Sequence, residues 1–281
     1  MGIVDIIEKI DNRILYVITF ILLMIPIGFY PLGIPVYTDE LTRKYYNFIE
    51  GIPDGSPVCI HQHSFPATFP SMGVPIQDSL YRLWQKNCKV LFWSGMVDAP
   101  PVTEQMIEYA KKKIISEGRP EPIYGVDYVD LGYIAGNELA VAAVANDFRE
   151  ASGGVDRYGN SLDDLSMMEN LYNGGDVVAC IIPANLDFPV QFLRQWQEKF
   201  GTPCVITCNE MIRPGIMPYI NSGQYSGAIA GTQPEAAFEL LLGYAGEAAR
   251  MTDAISLLTV FVLILIVLGN IVSLSRRGGT N

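Results

Sequence analysis

Basic residues are scarce in this chain. It carries 19 Lys and Arg against 30 Asp and Glu, a formal charge of −11. Fifteen bases and 27 acids fall within residues 34–253, which gives that stretch alone −12. A surface so acidic repels phosphate backbones and excludes nucleic acid as a partner. Histidine is rarer still, with two residues in 281. The motifs G-x-S-x-G, H-E-x-x-H, the D-x-D-x-D-G calcium loop, G-x-G-x-x-G and the Walker lysine are all missing. Their absence argues against a serine hydrolase, a zincin and the familiar phosphate cradles. No cofactor is called for. Five cysteines form no C-x-x-C pair, so neither a zinc knuckle nor a thioredoxin-type site is indicated. Cys204 and Cys208, four apart on a strand, stand on the order of 13 Å from each other, too far for a bridge. A Cys59–Cys88 bridge between strands stays open.

Charge is also missing from two long apolar stretches, residues 14–38 and 254–275. A bilayer core takes about 20 apolar residues as helix, so both are read as spans. The expected organisation is a tail at 1–13, a span at 14–34, one domain at 35–253, a second span at 254–274 and a tail at 275–281. The first stretch exceeds a signal-peptide core and lacks an A-x-A site, so it reads as a retained anchor. Lys9, Arg13, Arg276 and Arg277 flank the spans. By the positive-inside rule they put both termini in the cytoplasm and the main domain outside it, against a smaller count of Arg43, Lys44 and Arg250 on the domain side.

Between the spans, apolar runs alternate with helical patterns. Strands are predicted at 57–61, 88–94, 126–133, 176–182, 203–208 and 225–230. Helices are predicted at 76–86, 102–116, 137–151, 161–172, 188–200 and 211–221, and from 232 onward. That last helix shows no strong stop before Asp253 and is expected to run into the second span or meet it after a small kink. The alternation predicts an α/β fold: a doubly wound, mainly parallel, Rossmann-like sheet of about six strands, flanked by two transmembrane helices. Ligands of such sheets bind at strand carboxyl ends.

Several residues fall there. His61 and His63, in an H-x-H at the end of the first strand, can chelate a metal together with Asp98, because alternate strand residues point the same way. Gly136 and Asn137 join a strand to a helix whose free N–H groups suit an anion, although Glu138 opposes a phosphate. Asn185, Asp187, Asn209 and Glu210 end two further strands and can hold a polar ligand, or cap the next helices. The charge-free loop at 63–76 and the apolar loop at 213–222, charged only at Arg213, expose Phe65, Phe69, Met72, Met217 and Tyr219 as an apolar contact surface, or fold them over their own core.

At YGVDYVDLGYIAGNELAV (residues 124–141) and MPYINSGQYSGAIAG (residues 217–231) the chain resembles a family of uncharacterised two-span membrane proteins with a Rossmann-like α/β middle. The resemblance implies the same architecture. It carries no established activity and no catalytic residue, and the H-x-H segment is not its hallmark.

Three functions follow as expectations. The first is a non-catalytic, membrane-anchored assembly component, a homo-oligomer or a subunit of a larger membrane complex. The second is an extracytoplasmic small-ligand-binding or sensor module. The third is a metal-dependent hydrolase at His61, His63 and Asp98.

Overall fold

A computed structural model describes residues 11–184 and 188–278. Its centre is a six-stranded sheet: β1 Pro57–Gln62, β2 Lys89–Ser94, β3 Tyr128–Tyr133, β4 Ala179–Ala184, β5 Cys204–Cys208 and β6 Tyr225–Ala230. Every pairing is parallel, in the order β3-β2-β1-β4-β5-β6. This is the Rossmann order, with its topological switch point between β1 and β4. The strands are apolar runs because helices cover both faces. β4 begins three residues later than its apolar run suggests. Asp176 is spent in a turn, where its carboxylate accepts N–H bonds from Tyr172 and Asn173.

One face packs Trp93, Leu131, Val141, Phe148, Phe192 and Trp196. The other packs Tyr45, Ile60, Leu80, Phe92, Met106 and Phe238. The second face is covered by α2 (Glu40–Gly51), α3 (Val74–Gln85), α4 (Pro100–Ser116) and α9 (Thr232–Leu241). The sequence reading passed over α2. Its signals are Asp39, whose carboxylate accepts the Thr42 N–H at 2.8 Å, and the buried stripe Leu41, Tyr45, Ile49. α2 lies against β6, where a Cβ on Gly227 would come within 2.4 Å of the Tyr45 nitrogen. Only glycine permits that approach.

On the first face, the helix predicted at 137–151 is two: α5 (Glu138–Asn146) and α6 (Phe148–Ser152). Asp147 breaks it by adopting an extended backbone and capping the Arg149 and Glu150 N–H groups. Residues 161–172 form two 3-10 turns instead of a helix. α7 (Phe188–Phe192) continues through a π-turn to Phe200, and α8 (Arg213–Asn221) follows β5.

The last predicted helix does stop. α9 ends at Leu241, and α10 (Glu247–Gly278) starts after a tight reversal. The two lie antiparallel, with Glu239 bonded to the N–H groups of Gly246, Ala248 and Ala249 and Thr252 reaching back to Thr232. The Gly246 N–H and the Ala248 and Ala249 N–H groups of the first turn of α10 thereby gain an acceptor, which sets the reversal in place.

α10 carries the one helix long and apolar enough to cross a membrane among the described residues, Glu247–Ser275. The expected first span is corrected. α1 (Asn12–Gly28) has 17 residues, roughly 26 Å of rise against a hydrocarbon core of roughly 30 Å. Pro31 and Pro35 bias the residues before them away from helix, and residues 29–39 are non-helical. α1 packs along α10. Asp253 ties the strap after α1 by accepting the N–H groups of Leu32, Gly33 and Ile34 at 2.6, 3.1 and 3.0 Å.

All five cysteines are buried thiols. Cys59, Cys180 and Cys204 line up in register across β1, β4 and β5. Cys59 and Cys88 pack in the cores on opposite faces of the sheet, which removes the bridge the sequence left open.

Candidate functional site

An open cleft of about 480 Å³ lies at the carboxyl ends of β5 and β6, lined by Tyr37, Asp39, Glu210, Arg213, Gly231 and Thr232 among others. Local sequence explains each position. Asn209 accepts the Ile212 N–H and turns the chain from β5 into α8, which puts Arg213 at the helix start. Gly231 ends β6 at φ +86°, donates its N–H to Cys208 and opens α9. A side chain there would be strained, and its Cβ would come within 3.3 Å of a Glu210 oxygen. Asp39 arrives from the strap. One of its oxygens caps α2 and the other takes an Arg213 Nη2 hydrogen bond at 3.0 Å. A second Arg213 nitrogen lies 3.4 Å from Glu210.

The guanidinium is thus held between two carboxylates, one clamped and one largely exposed. No side chain caps the first turn of α9, and Pro234 in it has no N–H, which leaves the Thr232 and Gln233 N–H groups as donors beside the cleft they line. The arrangement offers acceptors (Glu210) beside donors (Arg213, Thr232). It matches a small polar ligand bearing both kinds of group, better than a simple anion, which Asp39 and Glu210 repel.

The sequence candidates scatter. Glu210 lines the cleft, and Asn209 is consumed as a turn cap. Gly136 and Asn137 end β3, at the opposite edge of the sheet from β5 and β6, so they do not join them in one pocket. Glu138 beside them binds Arg194 and Gln195. Asn185 and Asp187 lie outside the described residues.

The proposed metal ligands are not assembled. His61 is fully buried with its ring 4.2 Å from Trp93 and 4.9 Å from Phe192, and the His63 ring stands 5.4 Å away. Burial drives the pKa of His61 well below its ordinary value and that of His63 to about 4, so both are neutral at pH 7. Asp98 is exposed. Among the described residues no three His, Cys, Asp or Glu side chains come together to hold a metal. The reason is the apolar face against which β1 presents His61.

The apolar loops fold inward. Phe69 and Met72 are buried in the domain, and the Met72 carbonyl accepts the Thr207 hydroxyl at 2.8 Å. Phe65 is half-buried, and Met217 and Tyr219 pack against the first core.

A second group of residues escaped the sequence reading. Asp78, Glu235 and Glu239 are 1%, 1% and 0% exposed, between α3, α9 and α10. Glu239 is satisfied by its three N–H bonds. The Glu235 carboxyl has no hydrogen-bond partner among the described residues, and that of Asp78 faces the Tyr244 hydroxyl. Lys113 of α4 is half-buried nearby, 3.0 Å from the centre of the Tyr244 ring and 4.0 Å from that of Tyr81. Burial, reinforced by Glu239, pushes the Asp78 carboxyl up to about 8. Burial also raises Glu235 and Glu239 and lowers Lys113 to about 8. A cavity of about 410 Å³, lined by Ile27, Tyr109, Gly246, Glu247, Arg250 and Met251, lies where α1 and α10 join the domain beside this group. At pH 7 the Asp78 carboxyl holds a proton. The i, i+4 spacing of Glu235 and Glu239 was the available signal, since it puts both on one helix face. Which face is buried depends on α10.

No family model, no curated protein and no solved structure matches this chain.

Proposed function

We propose that the chain is a membrane-anchored, Rossmann-like ligand-binding domain, whose cleft between β5 and β6 takes the small polar ligand. The observation that carries this reading is the open, charged concavity at strand carboxyl ends, built from Asp39, Glu210 and Arg213. It deepens one expectation from the sequence at the expense of another. The assembly reading rests on two anchors, apolar loops and missing catalytic signatures, and of those loops Phe69 and Met72 are spent on the domain's own core. α10 is the anchor, with α1 as a shorter apolar companion. Arg276 and Arg277, directly after the apolar span of α10, favour a cytoplasmic carboxyl terminus and an extracytoplasmic domain.

The test is thermal unfolding of the full chain in phosphatidylcholine nanodiscs, with phosphocholine, phosphoethanolamine, serine, glycerol 3-phosphate or inositol added. A ligand at 100 times its dissociation constant stabilises by about 2.7 kcal/mol. At least one compound should raise the Tm of the native chain and lose most of that effect in Glu210→Gln and Tyr37→Ala. Equal shifts in all three proteins, or no shift in any, would overturn the proposal.

A further inference from the structure

All six strands are parallel, so their carboxyl-end loops share one rim of the domain. α9 leaves that rim at Thr232, running against the strands. α10 returns along it, from Glu239 beside Gly246 to Thr252 beside Thr232. The helix that enters the membrane therefore leaves the domain at the carboxyl rim, pointing away from it. No spacer intervenes. Asp253 and Ala254 are buried in the domain, and Ile255 is already 49% exposed. From Thr252 to Ile255 the rise is roughly 5 Å, no more than the interfacial layer on one side of a bilayer, roughly 5–8 Å.

The rim has the surface such a position requires. Val97, Tyr133, Leu139 and Met211 stand exposed after β2, β3 and β5, and Tyr37 joins them from the strap. Of the charges there, Arg194 pairs with Glu138 and Arg213 with Asp39 and Glu210, while Asp98 beside Val97 is exposed and outside those pairs. At the opposite rim the exposed Ile115, Ile123 and Val126 sit among Glu117, Arg119, Glu121 and Asp127, where Arg119 pairs with Glu117 and Lys111 with Glu121. Tyrosines with apolar neighbours are what a membrane interface collects, and an acidic domain avoids contact with anionic lipid.

We infer that the carboxyl-terminal rim of the sheet lies against the bilayer, with Val97, Tyr133, Leu139 and Met211 in the headgroup layer of neutral lipid. The inference rests on the reading of α10 as a membrane span. It makes the β5–β6 cleft open toward lipid headgroups instead of bulk water.

The experiment uses the full chain in phosphatidylcholine liposomes with single cysteine replacements labelled by a bimane fluorophore. The native thiols are all buried, so label goes to the introduced site. Val97→Cys, Leu139→Cys and Met211→Cys report on the rim, Asp54→Cys and Ile123→Cys on the opposite end, and Val262→Cys on α10. Lipids with headgroup nitroxides should quench the three rim labels at least twofold and leave Asp54→Cys and Ile123→Cys unchanged. Lipids with mid-chain nitroxides should quench Val262→Cys. Quenching at Val262 with rim labels no more quenched than Ile123 would overturn the rim assignment alone. No quenching at Val262 would overturn the anchor itself.

Discussion

Replacing Asp78 by Asn should flatten the dependence of stability on pH. The native Asp78 carboxyl titrates at about 8 because it is buried beside Glu239, against an ordinary value of 3.8. Between those values the folded chain holds a proton that the unfolded chain has released. The stability tied to that proton is fully present below pH 3.8 and is lost as pH rises through 8. The slope is about −1.4 kcal/mol per pH unit for one such group. For a domain of this size, 1 kcal/mol moves Tm by roughly 2–4 °C, so Asp78 alone lowers Tm by roughly 3–6 °C per unit. Glu235 and Glu239 act in the same direction. Lys113, lowered to about 8, contributes above that pH, so the clean window is pH 5–7. The assay is thermal unfolding of the full chain in detergent at pH 5, 6 and 7, followed by the fluorescence of the buried Trp84, Trp93 and Trp196. Asp78→Asn should show a slope shallower by about 1.4 kcal/mol per unit. Parallel lines for variant and native chain would refute the assignment of a buried, protonated carboxyl.

Two further outcomes follow from packing and tethering. Gly227→Ala places a Cβ 2.4 Å from the Tyr45 nitrogen and must push α2 off β6, at a cost of roughly 1–3 kcal/mol. Chemical denaturation should show it, and an unchanged midpoint would mean that the close approach is not needed. Asp253→Ala strips the acceptor from three strap N–H groups, at roughly 0.5–1.5 kcal/mol for each hydrogen bond lost on this part-exposed strap. The strap should become sensitive to limited proteolysis at residues 29–39, and a native cleavage pattern would count against the tether.

The six strands and most helices were legible because burial on both faces writes itself as uninterrupted apolar runs, as in CKVLFWS and PCVITC. The helix break at Asp147 and the turns at 161–172 were not, because a cap competes locally with a pattern that continues through it. Glu210 was legible as a strand-end acid. Its partners were not: Arg213 lies close in sequence but was read only as part of an apolar loop, and Asp39 joins from 174 residues away. The histidine pair misled for the opposite reason. Spacing put both imidazoles on one side of β1, but it could not show that this side meets Trp93 and Phe192.

By itself the sequence determined the α/β class, the acidic domain and an apolar carboxyl-terminal helix, since these depend on composition and period along the chain. Tertiary structure decided the strand order, the length of the first apolar helix and the burial of Asp78, Glu235 and Glu239. It also decided which strand ends share a cleft. Those depend on which surfaces meet across long separations, and such pairings leave no periodic trace in the residues that make them.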